Sequence, residues 1–591
     1  MKIMITLPVA DMTKSDFLRL GNIVHRPDLA GRSEEHLLEE LAAHGADGLI
    51  TARRPAPETL AAWRRSGPGR RFLAYTIGIP PRDAPDDLAE LQLTGGDLAA
   101  VGDALRWIER QSTLGRLPHP PHGSRPVDPP RSRDVVLIGA GIVNLITALA
   151  LLEDGFRITV LDGSPAPSEK DWQAYGCTHA GDDARMFTLT EMDDYSNQDP
   201  FGRPLDLFRV PVDRCGWRAY GDRPLSPAEQ DFLRDYERIP SWLARGYNDD
   251  IFGFAAEALD GWRTLQREHP ELFAESALTH GILRLYGDRD HLAASLERHR
   301  RIGALQRELT NHQLVAEYPG LAHAIGEGEL AGGFLALGFT VNVHKFCRAL
   351  IERLESLGAV FQWDTTVAGV QRDARGTVTG LDAGRELPPG AHVVASPGAY
   401  GHAVLAGSAC EAKIHGVLGG WSRISNASVG LSQSLKVARK GHVTEDANIT
   451  VAVDGDGRDV LIVGSGYGYL GEAVEEPDQA QLDTIRLGIA DTITRLFPGH
   501  GPLPASADPA DNYGFKYCVR PWTATSLGLY HAEATAWGSE FVINGGHNTG
   551  GFAQSPAVAG AVLATLRGEH HPMHALYHPR RLAAFADDRR S

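Results

Sequence analysis

The chain has 591 residues, 42% hydrophobic and 23% charged, with a formal net charge of −17. That length exceeds what one core supports and predicts two to four domains, while the acidic balance argues against a nucleic-acid or anionic-membrane partner, since both need a basic surface. No apolar run reaches the roughly 18 residues of a membrane span, and the cysteines (Cys177, Cys215, Cys347, Cys410 and Cys518) form neither a Cys-x-x-Cys pair nor a metal-ligand spacing, which predicts a cytoplasmic protein without a metal site.

From the N-terminus, residues 1–111 alternate strand and helix signals. Lys2–Pro8 reads as a strand rather than a signal peptide, because it lacks a long apolar run and a small-residue cleavage site. Ser33–His44 is an amphipathic helix with Leu37, Leu38 and Leu41 on one face, Asp47–Thr51 a buried strand, Pro57–Ser66 a helix opened by proline, and Arg71–Ile77 a further strand. This predicts a small flavodoxin-like α/β domain with a parallel sheet. Gly45–Thr51 followed by Glu58–Trp63 resembles, weakly, the substrate-side domain of D-2-hydroxyacid dehydrogenases. The catalytic Arg, Glu and His of that family sit mostly in its nucleotide domain, which is absent here, so the expected role is structural or docking. Residues 112–134 contain Pro118, Pro120, Pro121, Pro126, Pro129 and Pro130 and read as a semi-extended linker, with His119 and His122 solvated.

At residue 135 the pattern changes. Val135–Ile138 is a short β-branched strand, Gly139-Ala140-Gly141 a tight turn, Ile142-Val143-Asn144 the start of an apolar helix, and Arg157–Leu161 a second strand closing on Asp162 and Gly163. This is a βαβ dinucleotide unit: Gly139 permits the turn, Gly141 lets backbone approach a pyrophosphate, the helix N-terminus offers unpaired N–H groups, and the Asp162 carboxylate accepts ribose hydroxyls. Asn144 replaces the usual third glycine and predicts a helix set slightly further from its strand. Beyond it, helices are expected at 226–245, 250–268, 289–307 and 344–357, and strands return over 359–400 and 413–465. Residues 135–580 are expected to form one interleaved unit. Its dinucleotide-binding parts fall at 135–200, 338–400 and 515–570, and a mixed-sheet, α+β substrate domain at 201–337 and 401–514. Residues 581–591 form a tail.

The later blocks carry a resemblance. Gly338–His344 leads into a helix, then come Thr365–Val370, His392–Tyr400, Arg520-Pro521-Trp522-Thr523 and the Gly-rich turn Gly545–Phe552 before an apolar helix from Ala557. In that order they resemble the FAD-dependent superfamily of D-amino-acid oxidase, glycine oxidase and sarcosine oxidase. The resemblance implies FAD as cofactor, Val367 meeting the adenine through its backbone, Gly398 passing close to the phosphates, and Asn548, Gly550, Gly551 and Phe552 lying against the isoalloxazine. Gly176–Arg185 is similar to the flavin-covering loop of the sarcosine oxidase branch, with a longer His-to-Arg spacing; Thr178, His179 and Arg185 would face the flavin. Cys518 sits where that branch carries FAD as a cysteinyl thioether, whereas the Arg520-Pro521 that follows it matches members that bind FAD noncovalently, so both attachments stay open.

By the same resemblance the reaction is oxidation of a C–N bond in an amino acid or secondary amine, with hydride transfer to flavin N5 and O2 or another electron acceptor taking the electrons. Arg520 is the first candidate for a carboxylate clamp, since a guanidinium pairs bidentately with a carboxylate. Tyr467 or Tyr469 is a candidate phenol, His547 a candidate near the flavin, and His415 a structural residue. The lysine that this branch places in a Gly-Leu-Lys-x-Gly strand is replaced by Ile462 in Val460–Gly464, which keeps a dehydrogenase open beside an oxidase. A 2-hydroxyacid oxidoreductase on the same fold and a flavin-binding interaction protein are the alternatives.

Overall fold

The computed structural model describes residues 1–80, 85–117, 132–167, 184–192, 207–218, 223–384, 388, 390–444, 446–454, 457–502 and 514–586. The first sheet is wholly parallel, with the strands Ile23–His25, Ile3–Ile5, Gly48–Arg53, Arg71–Ile77 and Leu88–Gln92 side by side in that order. Its central strands are covered on both faces, so they read as continuous apolar runs rather than alternating ones. The outer strands Ile23–His25 and Leu88–Gln92 carry no such run and escaped the sequence reading. The helix Leu98–Arg116 follows, started by Asp97, whose side chain accepts from Ala100 N. It runs through the first residues of the stretch expected to be linker, because Ser112 and Thr113 are still buried and no proline intervenes before Pro118. Residues 118–131 lie outside the described residues.

The nucleotide sheet has the order Val360–Gln362, Arg157–Leu161, Asp134–Ile138, His392–Ala395, Glu540–Gly545, Leu529–Ala534. All its pairs are parallel except the last. The large sheet runs Leu305–Leu309, Gly332–Asn342, Thr279–Tyr286, Ser434–Ala438, Asp446–Val453, Asp459–Gly471, His415–Ser425, Phe515–Trp522, with Ala184–Thr188 paired to Gly332–Asn342. The strands at 184–188, 338–342 and 515–522, expected among the dinucleotide-binding parts, are hydrogen-bonded into this large sheet. One face packs Leu283, Leu285, Leu435, Val437, Ile449, Leu461 and Val463 into a core with the helix Gln479–Leu496.

Two helix boundaries differ from the sequence expectation for identifiable reasons. Pro240 cannot continue a helix, so one helix ends at Glu237 and a 28-residue helix, Ser241–Glu268, begins after it without the expected break near 246. The expected helix over 289–307 stops at Arg301, where Gly303 with φ 69° turns the chain into the strand Leu305–Leu309.

The long helix joins the parts of the molecule. Its N-terminus has no cap of its own, and Asp16 from the first module supplies one, accepting from Ser241 N at 2.6 Å and Ser241 Oγ at 2.9 Å. Arg19 donates to the carbonyls of Glu237 and Ile239 just before it. Further along, Trp262 Nε1 donates to Ala553 O and its ring packs on Phe552. The segment expected to be a tail opens with a short helix, Arg581–Ala586, anchored by the fully buried Arg581. Among the described residues no helix is long and apolar enough to cross a membrane.

Candidate active site

The turn after Asp134–Ile138 is built as the sequence predicts. Gly139 has φ 96°, and a Cβ there would lie 2.9 Å from the carbonyl oxygen of Ser396 on the neighbouring strand's exit, so only glycine fits. A Cβ on Gly141 would meet nothing within 4 Å: the helix Ile142–Glu153 opens onto free space with its first N–H groups unpaired by the helix. Asp162 orders the far side, accepting from Ala140 N at 2.6 Å and Ser164 N at 2.7 Å. Asn144 is fully buried, and its Nδ2 donates to Ile138 O and Gly139 O, both at 2.8 Å. The residue expected only to hold the helix off the strand therefore ties the two together.

A cavity of about 980 Å³ starts at this turn, with Gly139, Gly141, Ile142, Val143, Asp162, Gly163 and Val367 in its wall. It passes Gly398, which turns with φ 61°, and continues to Asn548, Gly551 and Phe552 on one side and Arg185, Tyr467, Cys518 and Arg520 of the large sheet on the other. Three expected residues lie behind the wall: Ala140 and Asn144 are fully covered, and Gly550 packs against Met192. Thr178 and His179 fall outside the described residues. The open cradle before a helix N-terminus, with an acceptor carboxylate at one end and a broad two-sided slot at the other, fits FAD.

The substrate-sheet wall differs in detail from expectation. Arg520 Nη1 donates to Leu418 O at 3.0 Å and Gly466 O at 2.9 Å, and its guanidinium lies over the Tyr467 ring at 4.9 Å. It bridges the irregular register between His415–Ser425 and Asp459–Gly471, and the place it occupies exists because residue 419 is glycine: a Cβ there would fall inside the guanidinium. Among the described residues, Arg520 Nε and Nη2 donate to no protein group, so one edge of the fork is left for a ligand. Tyr467 is stacked on Trp217 at 5.5 Å, which Phe208 and Trp522 pack edge-on. Tyr469 turns the other way, bonding His415 Nδ1 at 2.6 Å, while His415 stacks on Phe232; burial pushes the His415 pKa down to about 4.

His547 belongs to the cavity-lining turn, yet its ring is packed against Gly528 and Tyr577 with both nitrogens enclosed and unpartnered. Burial pushes its pKa down to about 4, which favours the neutral ring. Cys518 is 7% exposed, lies opposite Gly419 in register, and packs with Trp421 and Ile462. Ile462 also lines the cavity, so the position of the missing lysine is apolar in space as well as in sequence.

Sequence reasoning missed Glu191, Trp421, Asn448 and Thr450, all of which line the cavity. The alternation Asn448-Ile449-Thr450-Val451, with Ile449 in the opposite core, was the available signal for two of them. Behind Glu191 stands Lys436, with Nζ 3.6 Å from Glu191 and 3.7 Å from Asp446. Burial works against the Lys436 ammonium, but the two carboxylates outweigh it and raise its pKa.

A family model described as FAD dependent oxidoreductase matches residues 134–566. The chain is similar to D-amino acid dehydrogenase 3 of Mesorhizobium japonicum, 23% identical over 252 residues, 41% of this chain and 55% of the relative, so it spans about half the length of that curated protein. Among solved structures it is similar to a thermally stable mutant of fructosyl peptide oxidase, with TM-score 0.50 and 14% identity over 76% of this chain and 93% of the other. It is also similar to glycine oxidase from Geobacillus kaustophilus, with TM-score 0.47 and 16% identity over 74% of this chain and 95% of the other. With the family model covering most of its length, from the dinucleotide turn to the helix after the Gly-rich turn, the chain belongs to the FAD dependent oxidoreductase family.

Proposed function

We propose that this protein oxidises the C–N bond of an amino acid or secondary amine. The observation that carries the reading is a single cavity shared by the dinucleotide turn and by two arginines of the large sheet, Arg185 and Arg520. Bound FAD would supply the two-electron acceptor for the carbon that bears the nitrogen. The Gly139–Val143 turn, Asp162 and Val367 would hold its nucleotide end, and Gly551 and Phe552 its ring end. Arg520 presents the free edge of its guanidinium to a substrate carboxylate, with Tyr467 fixing the plane of that guanidinium from behind. Trp421 and Ile462 make the adjoining wall apolar and keep water from the reacting carbon. The name of the curated relative, a D-amino acid dehydrogenase, supports an amine over a hydroxy acid. The apolar Ile462 favours transfer of electrons to an acceptor other than O2.

Anaerobic titration of the yellow holoprotein with amino acids, N-methyl amino acids and 2-hydroxy acids tests this. Bleaching of the flavin band by amines alone is expected; bleaching by hydroxy acids alone overturns the C–N reading. Acid precipitation addresses attachment: flavin left in the pellet would mark a Cys518 thioether, and flavin released to the supernatant the noncovalent state that Arg520-Pro521 favours.

A further inference from the structure

Besides Asp162 the cavity wall carries two carboxylates, the exposed Glu475 and the buried Glu191. Glu191 is 5% exposed, lines the cavity, and follows the strand Ala184–Thr188 on a turn whose next residue, Met192, has φ 75° and packs on Gly550 at the head of the helix Gly551–Arg567. The carboxylate is thus set beside the turn that walls the ring end of the slot. Its two partners, Thr188 and Lys436, are not among the residues that line the cavity. Thr188 Oγ1 is 3.4 Å from Glu191 Oε2, and Lys436 Nζ is 3.6 Å away. Lys436 is in register with Arg284 on one side and with Asn448 on the other, and Asn448 lines the same cavity with its Oδ1 unpartnered. Asp446 shares Lys436, and Arg284 donates to Thr190 Oγ1 next to Glu191. Lys436 thus ties Glu191 into a network of charged groups that holds its carboxylate in place beside the cavity.

We infer that Glu191, flanked by Asn448, receives the N–H hydrogens of the substrate nitrogen and stabilises the positive charge that forms on it. The inference rests on the C–N reading. The substrate nitrogen reacts as the free amine: when the C–H bond breaks and its electron pair leaves as hydride to the flavin oxidant, the nitrogen lone pair closes a C=N bond, and the neutral amine becomes an iminium cation. A preorganised carboxylate at that atom is worth most in a dry site, because it needs no reorganisation as the charge appears. A hydroxy acid gains less from it, since its oxygen ends as a neutral carbonyl. Glu191 is therefore a catalytic residue that selects amines over alcohols.

The test compares wild type with Glu191→Gln, which keeps the shape and leaves Lys436 paired to Asp446, and with Glu191→Asp and Asn448→Leu. Binding is read calorimetrically with 2-aminoisobutyrate, which has no hydrogen on the carbon to be oxidised, against trimethylacetate, which lacks the nitrogen. Flavin reduction by the best amine is read anaerobically. Wild type is expected to prefer the amine. Glu191→Gln should lose that preference about tenfold and slow reduction roughly 100-fold with its visible flavin content unchanged; Glu191→Asp should recover part of both. An amine preference and reduction rate unchanged in Glu191→Gln overturn the inference, as does a wild type that binds the two probes equally. Should Glu191→Gln fail to accumulate as holoprotein, Asn448→Leu decides by the same binding ratio. If wild-type flavin is bleached by hydroxy acids and by no amine, it is the C–N reading that fails.

Discussion

The first module is joined to the flavin unit through a buried ion cluster whose loss can be sized. Arg581 is 1% exposed and makes a bidentate pair with Glu109 at 2.9 and 2.7 Å. It also lies 2.7 Å from Asp250, donates to Leu576 O, and sits over the Tyr247 ring at 4.6 Å. Glu109 comes from the helix Leu98–Arg116, Asp250 from the long helix, and Arg581 from near the C-terminus. Arg581→Met leaves two buried carboxylates. Asp250 keeps Arg110 at 2.7 Å, but among the described residues Glu109 retains only the Thr113 hydroxyl. Stranding a buried charge costs about 3–5 kcal/mol, and the surviving Arg110 pair puts this case near 3. The stranded carboxyl would take up a proton in the folded variant, raising its folded pKa above the unfolded one. The deficit should therefore be full at pH 8 and shrink as pH falls toward 5. Denaturant unfolding at both pH values, followed by tryptophan and flavin fluorescence, measures it. Combining Arg581→Met with Glu109→Gln and Asp250→Asn should restore much of the loss. A single variant within about 1 kcal/mol of wild type, or a triple variant no better than the single one, would refute this account of the interface.

Gly139→Ala should yield folded protein that retains no FAD, because its Cβ meets the Ser396 backbone and its φ of 96° suits only glycine; a yellow variant with normal flavin content would contradict the turn's role. Gly419→Ala should displace the Arg520 guanidinium rather than the backbone. Its KM for a carboxylate substrate is expected to rise roughly 10- to 100-fold, the scale of one or two hydrogen bonds to a charged group, with an unchanged KM removing Arg520 as the clamp. His415 and His547 are pushed by burial to about 4 and His299 to about 3. The unfolded chain binds these protons first, so stability should be full above about pH 6.5 and fall between there and about pH 3, with up to three protons taken up on unfolding near pH 5. Potentiometric uptake below one proton would discount these histidines.

What the sequence made legible depended on whether the signal was local. The βαβ turn was readable because strand, glycine and acid all lie within one short stretch, and each has its own steric or electrostatic reason. The Gly-rich turn at 545–552 was readable through its place in a series of blocks. The substrate wall was not. Arg520 was identified by its motif, yet its carbonyl partners Leu418 and Gly466 come from strands brought together by an irregular register. Glu191 acquires meaning only beside Lys436, some 245 positions later in the chain by number and adjacent only after the sheet has formed. Asn144 looked like a defect in a glycine pattern; its two hydrogen bonds depend on where the strand end sits in three dimensions.

The same distinction explains the first module. Its sheet could be read from its own residues, but its use could not, because the contacts that define it are made at a distance. Asp16 supplies the N-terminal cap of the helix Ser241–Glu268, which Pro240 leaves without a side-chain cap. At the other end of that helix, Trp262 grips Ala553 and Phe552 and, with Gly261 tight against Pro556, fixes the approach of the helix Gly551–Arg567. That second helix carries the turn which walls the cavity. Twenty-one residues of helix between Ser241 and Trp262 span roughly 30 Å at 1.5 Å per residue, so a carboxylate in the first module and an indole beside the cavity sit on one stiff rod. A helix end left uncapped frays within its first turn. Here the fray would release Arg19 and Asp16 together and loosen the seat of the rod. Among the described residues the first module contributes none to the cavity wall, and its contact with the site runs through this helix.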